Sequence, residues 1–382
     1  MTVSPFKPAG LPRLLRRFYQ RWLTALPYGV RPFAGLYPPN QEYLPGVFQA
    51  GGPFSGILRR EAGRPFVVRP THFCDGSLGR LAGEDRTYVT CEPDRLLFAA
   101  ADAGVYGNHG WIYAPKARQF VAESCETWDG PFLQHDLFSR PGFPKAERLP
   151  GVSLLLSSLG GQTFYHFFTE TLPKLALARE LLDACDHVLI SRYGEEWKMR
   201  WLQAWGVGSK VRVLNELSHL RCDQLIFTNR LVRHFEASPW AVEVLRHLPG
   251  LPPVPSKAGT EVVWLDRAGT HVRKVDWEPS VAGAIGARPV RLEQLSPAEG
   301  AAACGKARVL VGFHGAAFCN MVFCPPGTGV LEIFLQPHYP WYARLAQSCG
   351  HHHRALLVAN GSDAIPQIAE ALRGLQAAPP PP

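Results

Sequence analysis

From residue 151 onward, short apolar runs alternate with helical stretches, and this constrains the fold more than any other feature of the 382-residue chain. Val152–Leu156 reads as a buried strand, followed by a helical stretch from His166 to Ala184. Strands follow at His187–Ser191, Val211–Leu214 and Gln224–Thr228, with helices at Glu195–Trp205 and Pro239–His247. The Pro-rich stretch 248–259 reads as a linker, after which the pattern restarts. Strands are expected at Val262–Leu265, Pro289–Leu292, Val309–Gly312, Gly329–Phe334 and Ala355–Val358, with helices at Gly315–Phe323, Tyr342–Gln347 and Ala364–Leu375. Ser296 and Glu299 form a capping box with Pro297 at the first helical position, which marks another helix start. Two alternating blocks imply two parallel-sheet α/β domains, with a ligand beyond the carboxyl ends of the strands, between the blocks.

The remainder reads differently. Leu11, Leu14, Leu15, Phe18, Trp22 and Leu26 recur at helical spacing with arginines between them, so residues 11–26 read as a basic amphipathic helix. Such a helix suits an anionic membrane interface, or it packs on the protein's own body. Lys7, Arg13, Arg16, Arg17, Arg21 and Arg31 precede the first acid, Glu42, so six of the eight net positive charges lie in this arm. The nearly balanced remainder speaks against a nucleic-acid-binding body. Residues 31–150 read as an irregular region with short strands at Arg64–Val68, Arg86–Cys91 and Gly110–Tyr113. The expected division is therefore 1–30, 31–150, 151–250, 251–350 and 351–382. No apolar run reaches the roughly 20 residues of a membrane span, which excludes an integral multi-span protein. Nine cysteines without a CxxC, and no apolar segment after the basic start, read as reduced thiols in a cytoplasmic chain with no secretory signal.

Four segments have the composition of a site. Val309–Gly312 runs into Phe313-His314-Gly315-Ala316-Ala317. Small residues at a strand-to-helix turn let an anion such as a diphosphate approach backbone N–H groups, or simply allow tight packing. Glu332, alone in an apolar strand, needs a partner: two ribose hydroxyls, or a buried ion pair with an arginine. Arg267 at a strand end and Arg273 in the next loop offer two guanidinium forks to phosphate oxygens. His166 and Glu170, four apart on one helix face, suit a general base and its tuning partner, or an ordinary structural pair. No Asp-x-Asp, P-loop or GxGxxG occurs, so no metal–diphosphate ligand pair and no standard dinucleotide site is expected. His351, His352 and His353 would alternate between the faces of a strand, so no metal site is expected there. The Asn360-Gly361-Ser362 sequon has no meaning in a cytoplasmic protein.

Taken in order, Tyr165-His166, Leu172-Pro173-Lys174, Asp266-Arg267, Arg273, Gly312-x-His314-Gly315-Ala316, Asn320, Phe323 and Val330-x-Glu332-Ile333 resemble glycosyltransferase family 61, over about residues 155–350. The resemblance implies an α/β fold with two Rossmann-like domains of GT-B type behind an irregular N-terminal extension. It also implies a nucleotide-sugar donor and inversion at the anomeric carbon; with no Asp-x-Asp, the transfer is expected to be metal-independent, from a UDP-sugar and with no further cofactor. Arg267, Arg273, Gly312, His314, Gly315, Ala316, Asn320 and Glu332 would form the donor site, holding diphosphate and ribose, and Glu170 or His166 would take the acceptor proton. The acceptor is expected to be a glycan or lipid-linked hydroxyl in surface or capsular polysaccharide biosynthesis, with the enzyme cytoplasmic and peripheral on the inner membrane through residues 11–26. Asp266 stands where the family usually has Ser, and an acid there is expected to neutralise Arg267 in part. The alternative is a catalytically degenerate member that binds glycan or partner as a scaffold of a polysaccharide assembly complex.

Overall fold

The structure is a computed structural model describing residues 56–68, 87–116, 119–121, 124, 144–232, 237–257, 259–267, 275–338 and 341–377. The basic helix expected over 11–26 and the loop residue Arg273 lie outside the described residues. The first strands are β1 (Gly56–Glu61), β2 (Pro65–Val68), β3 (Tyr88–Cys91), β4 (Arg95–Tyr106), β5 (Trp111–Ala114) and β6 (Gln119–Phe120). They are followed by β7 (Glu147–Leu155), β8 (His187–Ser191), β9 (Val211–Leu214) and β10 (His219–Thr228). All but the β2–β3 hairpin belong to one sheet, ordered β6-β5-β4-β10-β7-β8-β9, with β1 also on β4. Strands β10, β7, β8 and β9 run parallel, as the alternation requires.

The irregular N-terminal extension expected over 31–150 needs correction. The twelve-residue β4 lies inside that range, at the middle of the sheet and antiparallel to β10. Its sequence, RLLFAAADAGVY, shows no period of two because both faces are covered. Leu97 packs into one core while Leu96, Phe98 and Ala100 pack into another. The first sheet is thus mixed rather than purely parallel.

This sheet also curls. Leu97 pairs with Thr228 and Tyr106 with His219, so the ends of β4 lie at opposite ends of β10. Yet the Ser157 hydroxyl, just past the carboxyl end of β7, donates to the Asn108 carbonyl in the β4–β5 turn at 2.6 Å. Left-handed backbone at Asp102 and Gly151 coincides with the register slip between Cys222 and Gln224. Three adjacent strands therefore bend on one line, as bulges do, and enclose the second core. Two buried lysines close the carboxyl ends of this sheet: Lys174 donates to the Leu156 and Ser157 carbonyls, and Lys198 to the Ser191 carbonyl at 2.8 Å.

The second sheet is all-parallel among the described residues, with strands β11 (Glu261–Leu265), β12 (Arg288–Val290), β13 (Ala307–Phe313), β14 (Gly329–Phe334) and β15 (His352–Leu357). Its order is β12-β11-β13-β14-β15. The chain adds β12 on one side of β11 and then places β13 on the other, so the order in which strands are added reverses between β11 and β13. The first sheet has the same feature between β7 and β10. The Ser296–Glu299 capping box is formed reciprocally. The helix expected from Gly315 is a tighter 3₁₀ helix, Ala316–Phe323, and the segment expected to begin at His166 runs over 164–177 through a π turn at Phe167–Thr171.

One apolar core, holding Leu154 of β7 and Leu310 of β13, spans the space between the sheets. Phe168 packs edge-on against Trp201 at 5.2 Å and Phe323 at 5.8 Å. The two sheets therefore share a helical layer in addition to the linker. No helix among the described residues is long and apolar enough to cross a membrane.

Candidate active site

The reversal between β11 and β13 leaves two strand ends diverging, and Arg267 and His314 stand just beyond them. With Val275, Phe313, Phe334 and the 335–338 segment they line a pocket of about 470 Å³, within the range of small-molecule sites. Glycines permit this closeness. A Cβ on Gly312 would stand 3.1 Å from that of Leu265, and one on Gly315 would stand 3.2 Å from the Arg267 guanidinium carbon. The guanidinium lies across the bare turn and donates to the His314 carbonyl at 2.6 Å. Its own backbone N–H donates to Glu278 at 3.1 Å, and the same carboxylate oxygen accepts from the Trp264 indole at 2.8 Å. Burial pushes the Glu278 carboxyl up.

Asp266 meets a second cation. Arg291 holds it with two N–H groups on one oxygen, at 2.8 and 3.0 Å. The acid expected to neutralise Arg267 thus has a cation of its own, brought by the loop after β12.

Glu332 needs a second correction. It is fully buried, and both oxygens are engaged: His314 Nδ1 at 2.5 Å and His353 Nε2 at 2.8 Å. A carboxylate so enclosed holds imidazoles and not ribose. Burial pushes this carboxyl up, but the hydrogen bonds and charge from His314 and His353 outweigh it, so it lies below its ordinary value. With Nδ1 on Glu332 and the ring stacked on Phe334 at 4.8 Å, His314 is held in orientation and its Nε2 edge is the one left for a ligand.

Asn320 is buried and donates to the Ala317 carbonyl at 3.0 Å, so it braces the helix turn behind Ala316 and Ala317. His166 and Glu170 form the expected pair, Nδ1 to Oε1 at 2.6 Å, with Glu170 buried on the π turn. They do not line the larger pocket. Glu170 faces a narrower cavity of about 50 Å³ at the other reversal point, with Lys174, Ser158, Thr228 and Arg230. Ring contacts connect the two regions: Tyr165 lies on His166 at 5.2 Å and on Tyr342 at 5.6 Å, and Tyr342 lies 5.6 Å from His314.

Sequence reasoning missed His353, Glu278, His338 and Asn360. A signal existed for His353, since alternation in an extended segment sets it on the side opposite His352, and it is buried together with His351, which precedes β15 and meets the Met321 carbonyl. Among the described residues no group of three or more His, Cys, Asp or Glu is arranged to hold a metal ion.

Residues 164–331 match the family model described as Glycosyltransferase 61. The match takes in His166, Glu170, Arg267 and the His314–Ala316 turn, and stops one residue short of Glu332. No curated protein matches the chain.

Proposed function

We propose, on the premise that the chain carries a glycosyltransferase 61 domain and is a glycosyltransferase, that it transfers a sugar with inversion from a nucleoside diphosphate, a UDP-sugar, to a hydroxyl acceptor without a metal. The observation that carries this is the pairing of Arg267 with His314 at the reversal point of a parallel sheet, over a pocket large enough for a nucleotide. The acceptor oxygen attacks the anomeric carbon, the bond from that carbon to the diphosphate oxygen breaks, and the acceptor proton passes to the His166–Glu170 pair. Charge gathers on the departing diphosphate, and Arg267, Arg273, His314 and the backbone N–H groups of Gly315–Ala317 stabilise it there. Gly312 and Asn320 shape that turn, and Glu332 acts through His314. A buried carboxylate hydrogen-bonded to an imidazole suits the base, because the pair can take up one proton with little reorganisation.

The two reversal points, one in each sheet, support a GT-B-type reading with donor and acceptor on opposite sides of the Tyr165–Tyr342 seam. We assign the acceptor to a glycan or lipid-linked hydroxyl of surface or capsular polysaccharide synthesis, reached from the cytoplasmic face of the inner membrane.

Nucleoside diphosphates are expected to raise the melting temperature selectively and equally with and without chelator. A ligand at a hundred times its Kd stabilises by about 2.7 kcal/mol. No shift with any nucleotide would sink the reading, and retention of anomeric configuration in the product, read by NMR, would remove the inverting mechanism. The basic arm is tested separately: deleting residues 1–28 is expected to release the chain from anionic vesicles in a flotation assay, and unchanged flotation refutes membrane docking through it.

A further inference from the structure

We propose that Asn360 reads the nucleobase of the donor and selects bases with a carbonyl at the edge position where cytosine and adenine have an amino group, namely uracil, thymine or guanine. This rests on the nucleotide reading of the Arg267–His314 pocket. Asn360 follows β15 and lines that pocket together with Arg267 and His314. Its carboxamide is oriented by a group with only one option. The Trp277 indole N–H donates to Asn360 Oδ1 at 2.8 Å, and an indole nitrogen never accepts. The oxygen therefore faces Trp277, and the NH₂ group, with two donors, is turned to the other side. Trp277 is itself held, edge-on against Phe313 at 5.3 Å, and Phe313 is a wall of the pocket while Trp277 is not among its lining residues. The amide thus stands between the indole and the pocket, presenting donors to it.

The pocket is divided in character. Arg267 and His314 supply its polar, anion-binding side, whereas Val275, Phe313, Phe334, Leu335 and Pro337 supply apolar walls suited to the faces of a flat ring. A diphosphate belongs at the first, a base between the second, and a base between apolar walls is distinguished by its edge. Uracil, thymine and guanine offer a carbonyl oxygen where cytosine and adenine offer an amino group. Two fixed N–H groups donate to the former and repel the latter. The same Asn360-Gly361-Ser362 stretch that reads as a glycosylation sequon acquires a role as a base-reading turn.

The test is calorimetric binding of UDP, dTDP, GDP, CDP and ADP to the full chain, with Asn360→Asp and Asn360→Leu as variants. Aspartate keeps the acceptor for Trp277 and exchanges the pocket-side donors for an acceptor, and residue 360 is exposed, so both variants are expected to melt like the wild type. Wild type is expected to bind the best of UDP, dTDP and GDP at least about tenfold tighter than CDP or ADP. Asn360→Asp should lose about tenfold for that nucleotide and gain for CDP, while Asn360→Leu loses the first without the second gain. Preference of the wild type for CDP or ADP overturns the proposal, as does a UDP-to-CDP ratio unchanged in Asn360→Asp, the result expected if the amide meets only sugar hydroxyls. Absence of any nucleotide binding by the wild type overturns the donor-site reading itself.

Discussion

Replacing Arg267 with alanine is expected to lower kcat/KM by about three orders of magnitude and to weaken nucleoside-diphosphate binding at least tenfold, because in the proposed mechanism it removes a permanent cation from the point where leaving-group charge develops. The guanidinium also holds the turn it lies on. Its 2.6 Å bond to the His314 carbonyl and its seat over Gly315 tie the β11 end to the β13 end, so its loss loosens both strand exits. Lysine at 267 separates the two effects. It restores a point charge without the fork, and should recover binding more than turnover. Because Arg291 already compensates Asp266, the defect is expected to be insensitive to Asp266→Ser, and turnover within about fivefold of wild type in Arg267→Ala would remove the residue from the donor site.

Glu332→Gln is the second large effect. It keeps the shape and removes the charge that holds two imidazoles, so turnover is expected to fall about a hundredfold and stability by about 3 kcal/mol, the range for breaking a buried ionic group from its partners. The pH dependence has a definite sign. The folded-state pKa of Glu332 lies below its ordinary value, so its contribution is complete above the ordinary carboxyl range and is lost as pH falls through the folded-state value. The acid limb of a melting-temperature profile should therefore be shallower in Glu332→Gln than in wild type. His353→Gln, which leaves His314 on its carboxylate, should show a milder form of both effects. An acid limb and a turnover unchanged in Glu332→Gln would show that His314 does not depend on this carboxylate.

Legibility of the chain divides along a physical line. Wherever a property belongs to a contiguous segment, the residues carry it. The βα alternation after 151 reports burial of each segment against a sheet or solvent, and the strands at Glu261–Leu265, Ala307–Phe313 and Gly329–Phe334 fall where the apolar runs lie. The Ser296–Glu299 cap needs only four residues and forms as written. The positions of Arg267 and His314 at strand exits follow from the same local pattern. β4 was illegible for a related reason: burial on both faces by Leu, Phe and Ala erases the alternation that marks a strand.

What only the tertiary structure decided is who faces whom. Strand order placed the β11 and β13 ends side by side; residue spacing alone leaves that order open. Register and loop path assigned Arg291 to Asp266, His314 and His353 to Glu332, and Trp277 to Asn360, across sequence separations of 25, 18, 21 and 83 residues. Likewise the curl of the first sheet set Glu170 in a narrow cavity of its own, apart from the pocket of His314. Secondary structure is encoded by neighbours and survives reading one segment at a time. A buried charge is neutralised by whichever partner the folded topology delivers within about 3 Å, and that partner is chosen by the packing of the whole chain.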